Sequence, residues 1–253
     1  KDITQGKVNE RRLIDGTTSH GSQSLTLSKL AIPMSYYRPG TGVQMIIEEL
    51  SGENTLQVGI IGLGVGALAA YGQPGDHYTF YELNPLVADF ANQYFSYLDD
   101  AKTDVNIKLG DARVTLQNEL DSGQKNEFDI LVIDAFSGDL IPTHLMTREA
   151  FLLYQQHINK LGVLALHISN RHLSLLPVIM HHSRTLDMQV MLFETPGKDN
   201  EHDAQWVILT NNSRLIKSPR LIYQQTTLTQ DQYQIVSWTD DYSSLLPILK
   251  VLN

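Results

Sequence analysis

The chain has 253 residues, a length at which one domain can bury a sizeable core, and its formal net charge is −9. An acidic chain does not suit nucleic-acid binding, which normally needs a basic face, but it does suit a cationic small molecule. The absence of cysteine excludes disulfides, zinc–thiolate sites and cysteine nucleophiles. No apolar run approaches the length of a membrane span, so none is predicted in this chain.

The N-terminal part of the chain predicts hairpins followed by a helix. Residues 7–30 alternate loosely and turn at DGTTSHG, which indicates one or two β-hairpins. The segment YYRPGTGVQMIIEEL then predicts a turn and a helix that ends near residues 51–52. We therefore predict a hairpin region with its lead-in helix over residues 1–52 and a main domain over residues 53–253.

From residue 56 the pattern changes to alternating strands and helices. Helical segments separate apolar runs that predict strands at 56–61, 77–82, 105–109, 128–133 and 163–168. Strands of this kind form a parallel sheet that helices cover on both faces. A closing pair of strands is predicted in the later segments MQVMLFE and QWVILTN. The fold class is therefore predicted as α/β, with a Rossmann-like, doubly wound, mostly parallel sheet and a small N-terminal β-hairpin region.

One helix is predicted in detail, in the segment ELNPLVADFANQYFSYL. Asn84 caps the first free amides, and Pro85 takes the first helical position, where no N–H is needed. Apolar residues then recur at helical spacing. The residues predicted to pack against the sheet are Val87, Phe90, Ala91, Tyr94 and Phe95.

The stretch LQVGIIGLGVGALAAYG runs an apolar strand into glycines and then into small helix formers. Gly62, Gly64 and Gly66 form G-x-G-x-G, and with Ala67 they also fit G-x-G-x-x-[GA]. Glycine permits left-handed backbone angles and close approach, while a helix N-terminus offers unpaired N–H groups. The turn therefore predicts a ligand held against the backbone at a strand-to-helix junction.

Carboxylates follow three successive strands. Glu82 closes the second strand, 20 positions after Gly62, where a carboxylate can accept both ribose hydroxyls. Asp111 and Asp134 follow the next two strands, so the three acids converge where such sheets bind ligands. A pyrophosphate would be repelled by Asp134, whereas a positively charged sulfonium nucleoside would be held. The acids therefore favour an S-adenosyl-type ligand over NAD.

Four motifs resemble the spermidine synthase (polyamine aminopropyltransferase) family: GLGVGA, YELNP, GDAR and DILVIDAFSGDLIPTHL. The likeness covers roughly residues 10–210, and it is greatest to a bacterial branch that is often fused to membrane-spanning segments. It implies transfer of an aminopropyl group from decarboxylated S-adenosylmethionine, as co-substrate, to a polyamine such as putrescine, with release of methylthioadenosine. It implies no prosthetic group.

The resemblance also implies roles for individual residues. Upstream segments match parts of the family that cover the active-site mouth, where Gln23 would hold the nucleoside and Tyr36 and Tyr37 would position the amine. Hairpin and core packing explain these three residues equally well. The residues implied to line the nucleoside are Gly62, Gly64, Gly66 and Glu82, with Asp111 and Ala112 beside the adenine.

Asp134 is predicted as the catalytic residue on physical grounds too. A primary amine, with a pKa near ~10, is protonated at neutral pH, and only its free lone pair can attack carbon. A carboxylate within hydrogen-bond reach can take the proton while it holds the amine in line with the carbon–sulfur bond. The structural alternative is that Asp134 only caps the next segment.

The chain departs from the family's D-x-x-D-P pattern. It has Asp134-Ala-Phe-Ser-Gly-Asp139, so the second acid lies two residues later. The resemblance still places Asp139 near the substrate amine. Nucleoside binding survives this change, but the identity of the amine does not follow from the sequence.

No metal site is predicted. His181 and His182 are adjacent and would point about 100° apart on a helix, whereas two ligands of one metal are more naturally four residues apart. His167 ends the fifth strand near the predicted crevice, where a lone histidine is more often structural than functional.

Two other functions stay open. A class I S-adenosylmethionine-dependent methyltransferase shares the sheet and the glycine turn, but it must hold the methionine carboxylate with hydrogen-bond donors. A non-catalytic nucleoside- or polyamine-binding domain is the other alternative. The expected partners are a polyamine and a sulfonium nucleoside, without nucleic acid, and a homodimer is a possible assembly. The expected location is cytoplasmic, as a free protein or as the soluble part of a longer, membrane-attached one.

Overall fold

The computed structural model describes residues 1–5, 8–15, 18–52, 54–136, 142–197, 203–229, 232 and 234–250. The N-terminal part contains strands β1 (Asp2–Gln5), β2 (Val8–Asp15) and β3 (Thr18–Ser24), followed by helix α1 (Gly42–Leu50). The strands pair antiparallel in chain order, which is the arrangement that successive hairpins give.

A seven-stranded sheet forms the centre of the molecule. Its strands are β4 (Gln57–Ile61), β5 (His77–Glu82), β6 (Asp104–Leu109), β7 (Phe128–Ile133), β8 (Ile158–His167), β9 (Gln189–Thr195) and β10 (Ala204–Thr210). The helices that accompany it are α2 (Pro85–Tyr94), α3 (Ala112–Asp121), α4 (Arg148–His157), α5 (Leu176–Thr185), α6 (Ser213–Ile216) and α7 (Pro219–Gln224).

The strand order is β6–β5–β4–β7–β8–β10–β9. Strands β4 to β8 pair in parallel, and β10 runs antiparallel to both β8 and β9. The order reverses between β4 and β7, which makes their carboxyl ends the place where such sheets bind ligands. The predicted doubly wound, mostly parallel sheet with its closing strand pair is confirmed.

Apolar side chains fill both faces of this sheet. Ile47 of α1 packs with Phe193 and Trp206 on one face, and Phe151 of α4 packs with Ile179 of α5 on the other. Burying apolar surface on both sides explains why the central strands read as nearly continuous apolar runs. Strand β6 is half-buried instead, because it lies at the edge of the sheet.

Helix α2 begins as predicted, and most of its predicted face is buried. The Asn84 side chain accepts a hydrogen bond from the Leu86 amide at 3.0 Å, ahead of Pro85. Of the residues predicted to pack, Ala91 and Phe95 are buried, and Val87 is partly buried against the core.

The prediction is wrong for Phe90 and Tyr94, which are 40% and 46% exposed. Leu86, Phe90 and Tyr94, here called the α2 stripe, form an exposed apolar row.

The glycine turn leads into a shorter helix than the sequence predicts. Residues 67–71 form a single 3₁₀ segment rather than an α-helix. Gly72 and Pro74 follow at once, and a Cβ at Gly72 would lie 2.4 Å from the Thr103 side chain. The helix that the motif predicts is therefore a single short segment, and glycine is needed where it ends beside Thr103.

The N-terminal sheet is fastened to the central one. The Tyr97 hydroxyl donates to the Ser22 carbonyl at 3.2 Å, and a Cβ at Gly21 would lie 2.7 Å from Val65. The domain boundary predicted between residues 52 and 53 stays a prediction. In the described ranges, no helix combines the length and apolar character that crossing a membrane requires.

His182 is a buried histidine of α5. Its Nε2 donates to the Met146 carbonyl at 2.8 Å, and its ring lies 4.4 Å from that of Phe151. Burial lowers the pKa of His182 to about 4, against 6.5 in water. The unfolded chain therefore binds this proton more readily, so His182 stabilises the fold above pH 6.5 and loses that contribution as the pH falls towards 4.

We expect His182→Gln to make stability less sensitive to acid. Glutamine can keep the contact with Met146 but does not titrate. Between about pH 7.5 and about pH 5, the parent should lose about 2 kcal/mol more free energy of unfolding than the variant. Urea denaturation at both values measures this difference. Equal losses in the two proteins would contradict the buried, neutral histidine.

Candidate active site

The three predicted acids lie at the carboxyl ends of parallel strands, on the same side of the sheet. Glu82 ends β5, Asp111 follows β6 and Asp134 follows β7, and these strands lie beside or near β4. The Asp134 amide donates to the Ile61 carbonyl at 2.9 Å, which extends the pairing of β4 and β7 beyond the strands. The structure therefore places the acids at one end of the parallel strands, with Asp134 at the point where the strand order reverses.

The glycine turn is shaped by the protein's own backbone. Gly62, Gly64 and Gly66 have φ angles of +97°, +53° and +76°. A Cβ at Gly62 would lie 2.4 Å from the Asp134 carbonyl oxygen, and one at Gly64 would lie 2.5 Å from the His20 carbonyl oxygen. Glycine is thus required by protein contacts at these positions. Binding of a nucleoside at this turn stays a prediction.

Glu82 is fixed beside this turn. It is buried, and its Oε2 accepts from the Leu63 amide at 3.0 Å while its Oε1 accepts from the Asn84 amide at 2.8 Å. Each oxygen of a carboxylate has a second lone pair, so both can accept a further hydrogen bond. The carboxylate is therefore held in one orientation with acceptor capacity remaining.

Asp111 caps helix α3. Its Oδ1 accepts from the Val114 amide at 3.0 Å, and its Oδ2 lies 2.8 Å from His144 Nε2. Burial alone would raise the pKa of Asp111, but the hydrogen bonds from Val114 and His144 outweigh it and hold that pKa below its usual value. Ala112, the next residue, is buried. The predicted adenine contact of Asp111 would have to share the carboxylate with His144.

Asp134 is held from two sides. The Tyr37 hydroxyl donates to Oδ2 at 2.5 Å, and His167 Nδ1 lies 2.7 Å from Oδ1. The side chains of His167 and Asp134 are only 4% and 7% exposed. Burial first, and then the charge of Asp134, raise the pKa of Tyr37 well above 10, so the phenol stays a neutral donor. The Asp134 carboxylate is therefore bonded to side chains from two other parts of the chain.

His167, for which the sequence favoured a structural role, lies directly beside Asp134. It ends β8, the strand next to β7, and its Nε2 lies 2.8 Å from the Ser169 hydroxyl. Its ring stacks on Trp206 with centroids 4.9 Å apart, and Tyr36 lies 4.7 Å away. The available signal was its position at a strand end beside Asp134, which the motifs did not include.

The remaining predicted residues are Gln23, Tyr36 and Asp139. Gln23 is buried, and its amide is bonded at both ends to Ser96, at 2.9 and 3.0 Å, so it fastens β3 to the segment after α2. Tyr36 faces His167, and its carbonyl accepts from Trp206. Asp139 lies outside the described residues. Within the described ranges, no group of three or more histidine, aspartate or glutamate residues could hold a metal ion.

Comparison with known proteins gives partial sequence matches. No family model matches the chain. A polyamine aminopropyltransferase of Vibrio vulnificus is 39% identical over 108 residues, which are 42% of this chain and 35% of that protein. A probable polyamine aminopropyl transferase of Bifidobacterium longum is 22% identical over 165 residues, 64% of this chain and 34% of that protein. The predicted resemblance to the polyamine aminopropyltransferases is confirmed. The matches span about a third of the length of these two relatives.

One further sequence match and two solved structures are also similar to the chain. An N-terminal histidine N-methyltransferase of Emericella nidulans is 34% identical over 100 residues, 39% of this chain and 17% of that protein. A probable spermidine synthase from Corynebacterium glutamicum has a TM-score of 0.63 at 15% identity and covers 97% of this chain and 98% of its own. Human methyltransferase-like protein 13 has a TM-score of 0.55 at 16% identity, covering 79% and 95%. The predicted class I methyltransferase-like fold is confirmed.

The contact between Gly62 and Asp134 generates a prediction with a matched control. Gly62 and Gly52 have nearly equal φ angles, +97° and +98°, but a Cβ at Gly52 would meet nothing within 4 Å. Gly52→Ala should lower the free energy of unfolding by about 1 kcal/mol through backbone strain, and Gly62→Ala by at least about 3 kcal/mol. Denaturant titration measures both. Equal losses would show that the backbone contact is easily relaxed.

Proposed function

We propose that the chain is a spermidine synthase-like aminopropyltransferase. It would move an aminopropyl group from decarboxylated S-adenosylmethionine to a polyamine such as putrescine and release methylthioadenosine. The observation that carries this proposal is the buried carboxylate of Asp134, held by Tyr37 and His167 at the reversal of strand order. The similarity to polyamine aminopropyltransferases supports it.

The nucleoside would lie across the glycine turn, on the carboxyl side of β4 and β5. Glu82 would bind the ribose hydroxyls with the lone pairs that its backbone hydrogen bonds leave, beside Gly62, Gly64 and Gly66. Leu83 next to it is 69% exposed and offers an apolar surface to a base. Asp111 and Ala112, at the start of α3, would lie on the other side of the adenine.

Asp134 would act on the attacking amine. Asp134 would take a proton from the substrate ammonium, which frees the lone pair of the nitrogen. The neutral nitrogen then attacks the methylene carbon next to the sulfonium, so that a nitrogen–carbon bond forms as the carbon–sulfur bond breaks. The electron pair of the carbon–sulfur bond goes to sulfur, which becomes a neutral thioether, and the product nitrogen keeps the positive charge. A fixed, buried carboxylate suits this role because it orients the lone pair as well as accepting the proton.

The charge of the crevice favours the decarboxylated donor. Glu82, Asp111 and Asp134 would all oppose the carboxylate of intact S-adenosylmethionine, whereas they would attract its decarboxylated form. Arg38 is the cation closest to Tyr37 in the chain, and its guanidinium donates to the carbonyls of Thr195 and Pro196 at 2.9 and 2.8 Å. The donors that a methyltransferase places around the methionine carboxylate are therefore not apparent among these residues.

A methyltransferase is the second candidate. The likeness to a histidine N-methyltransferase and to methyltransferase-like protein 13 supports it as an alternative. A non-catalytic nucleoside- or polyamine-binding domain is the third. The homodimer, the cytoplasmic location and the role of Asp139 also stay predictions.

Glu82 provides a test of nucleoside binding. Glu82→Gln replaces one acceptor oxygen by a donor, so methylthioadenosine should bind about 10- to 100-fold more weakly, as expected for losing a hydrogen bond to a charged group. Calorimetric titration measures the affinity. The substitution could also weaken the hydrogen bonds that Glu82 accepts from the Leu63 and Asn84 amides. Thermal unfolding of the same samples detects that loss of stability and separates it from the loss of ligand affinity. A well-folded variant with unchanged affinity would remove the ribose assignment.

Asp134 provides the test of catalysis. Asparagine can stay between Tyr37 and His167 but cannot accept the proton, so Asp134→Asn should lower the rate of aminopropyl transfer about 10²- to 10⁴-fold. Affinity for methylthioadenosine should change little. The measurement is transfer to putrescine and longer amines, with decarboxylated and intact S-adenosylmethionine as donors.

Asp104→Asn is the matched control, because Asp104 begins β6 at the opposite end of the sheet and its side chain is 75% exposed. It should leave the rate unchanged. Equal rates for Asp134→Asn and the parent would make Asp134 structural. Methyl transfer from the intact donor by the parent, without aminopropyl transfer, would decide for the methyltransferase.

A further inference from the structure

His167 is buried at the end of β8 and bonded at both ring nitrogens. Nδ1 lies 2.7 Å from Asp134 Oδ1, and Nε2 lies 2.8 Å from Ser169 Oγ. Neither the proposed transfer nor nucleoside binding uses the imidazole directly. A titratable ring in contact with the proposed base nevertheless affects its charge and its orientation.

Neighbouring hydrogen bonds define the proton positions on the ring. The Gln205 amide donates to Ser169 Oγ at 2.8 Å, which leaves the serine hydroxyl proton free to be donated to His167 Nε2. Nδ1 then carries the ring proton and donates it to Asp134.

Aromatic rings fix the plane of the imidazole. Trp206 stacks on it with an interplanar angle of 22°, while Phe136 packs edge-on at 5.1 Å and Tyr36 lies at 4.7 Å. Turning the ring away would break these contacts and both of its hydrogen bonds. Together with the Tyr37 hydroxyl, His167 therefore holds Asp134 in one rotamer.

We infer that His167 is a positioning residue that holds the carboxylate of Asp134 in the orientation in which it meets the amine. This inference rests on the proposed function, since it names the amine as the group that Asp134 meets. Histidine suits this role because one ring nitrogen bonds Asp134 while the other is held by Ser169.

The test is the steady-state rate of aminopropyl transfer to putrescine by two variants of His167. His167→Phe keeps the stacking on Trp206 but removes the donor to Asp134, so its kcat should fall about tenfold or more with little change in amine KM. His167→Asn retains an amide donor to Asp134, so it should recover most of the parent's kcat.

His77→Gln is the control, because His77 begins β5 at the far end of the sheet, and it should keep the parent's rate. A kcat of His167→Phe equal to the parent's, or equal losses in His167→Phe and His167→Asn, would overturn the inference.

A measurement independent of turnover distinguishes this inference from the proposed function. Nitrogen NMR of the labelled parent should show the ring proton of His167 on Nδ1, from which it is donated to Asp134. A proton on Nε2 alone would overturn the inference, whatever the activity. The expected tautomer, in a protein that binds no amine, would support the Asp134–His167 pairing and overturn the proposed function.

Discussion

The two hydrogen bonds that hold the carboxylate of Asp134 connect three distant parts of the chain. Tyr37 comes from the segment before α1, Asp134 from the end of β7 and His167 from the end of β8. A buried carboxylate without partners would be costly, so each donor stabilises the arrangement that brings the others near. This contact, with the hydrogen bond from Trp206 to the Tyr36 carbonyl, holds the N-terminal segment against the end of the sheet.

Much of the sheet could be predicted from the sequence because its determinants are local. Apolar runs indicate strands that are buried on both faces, and the predicted strands at 77–82 and 128–133 coincide with β5 and β7. Glu82 and Asp134 could be assigned to one edge because the carboxyl ends of parallel strands meet there. Chain order and strand chemistry were sufficient for these inferences.

The errors and omissions concern contacts between distant residues. Helical periodicity groups Phe90 and Tyr94 with Ala91, but it does not show where the buried face of α2 ends. The glycine pattern indicated a close approach, but not that a carbonyl of the protein itself makes it. His167 carried no motif, because its importance comes from lying beside Asp134 and Trp206 in the folded chain.

The α2 stripe has a consequence for the behaviour of the protein in concentrated solution. A net charge of −9 keeps molecules apart at neutral pH, so the exposed Leu86, Phe90 and Tyr94 seldom meet a second copy. Near the isoelectric point of about 5.4 this repulsion vanishes, and apolar rows on different molecules can associate. Mildly acidic buffers should therefore give the lowest solubility, and salt, which screens the repulsion, should extend that range towards neutral pH.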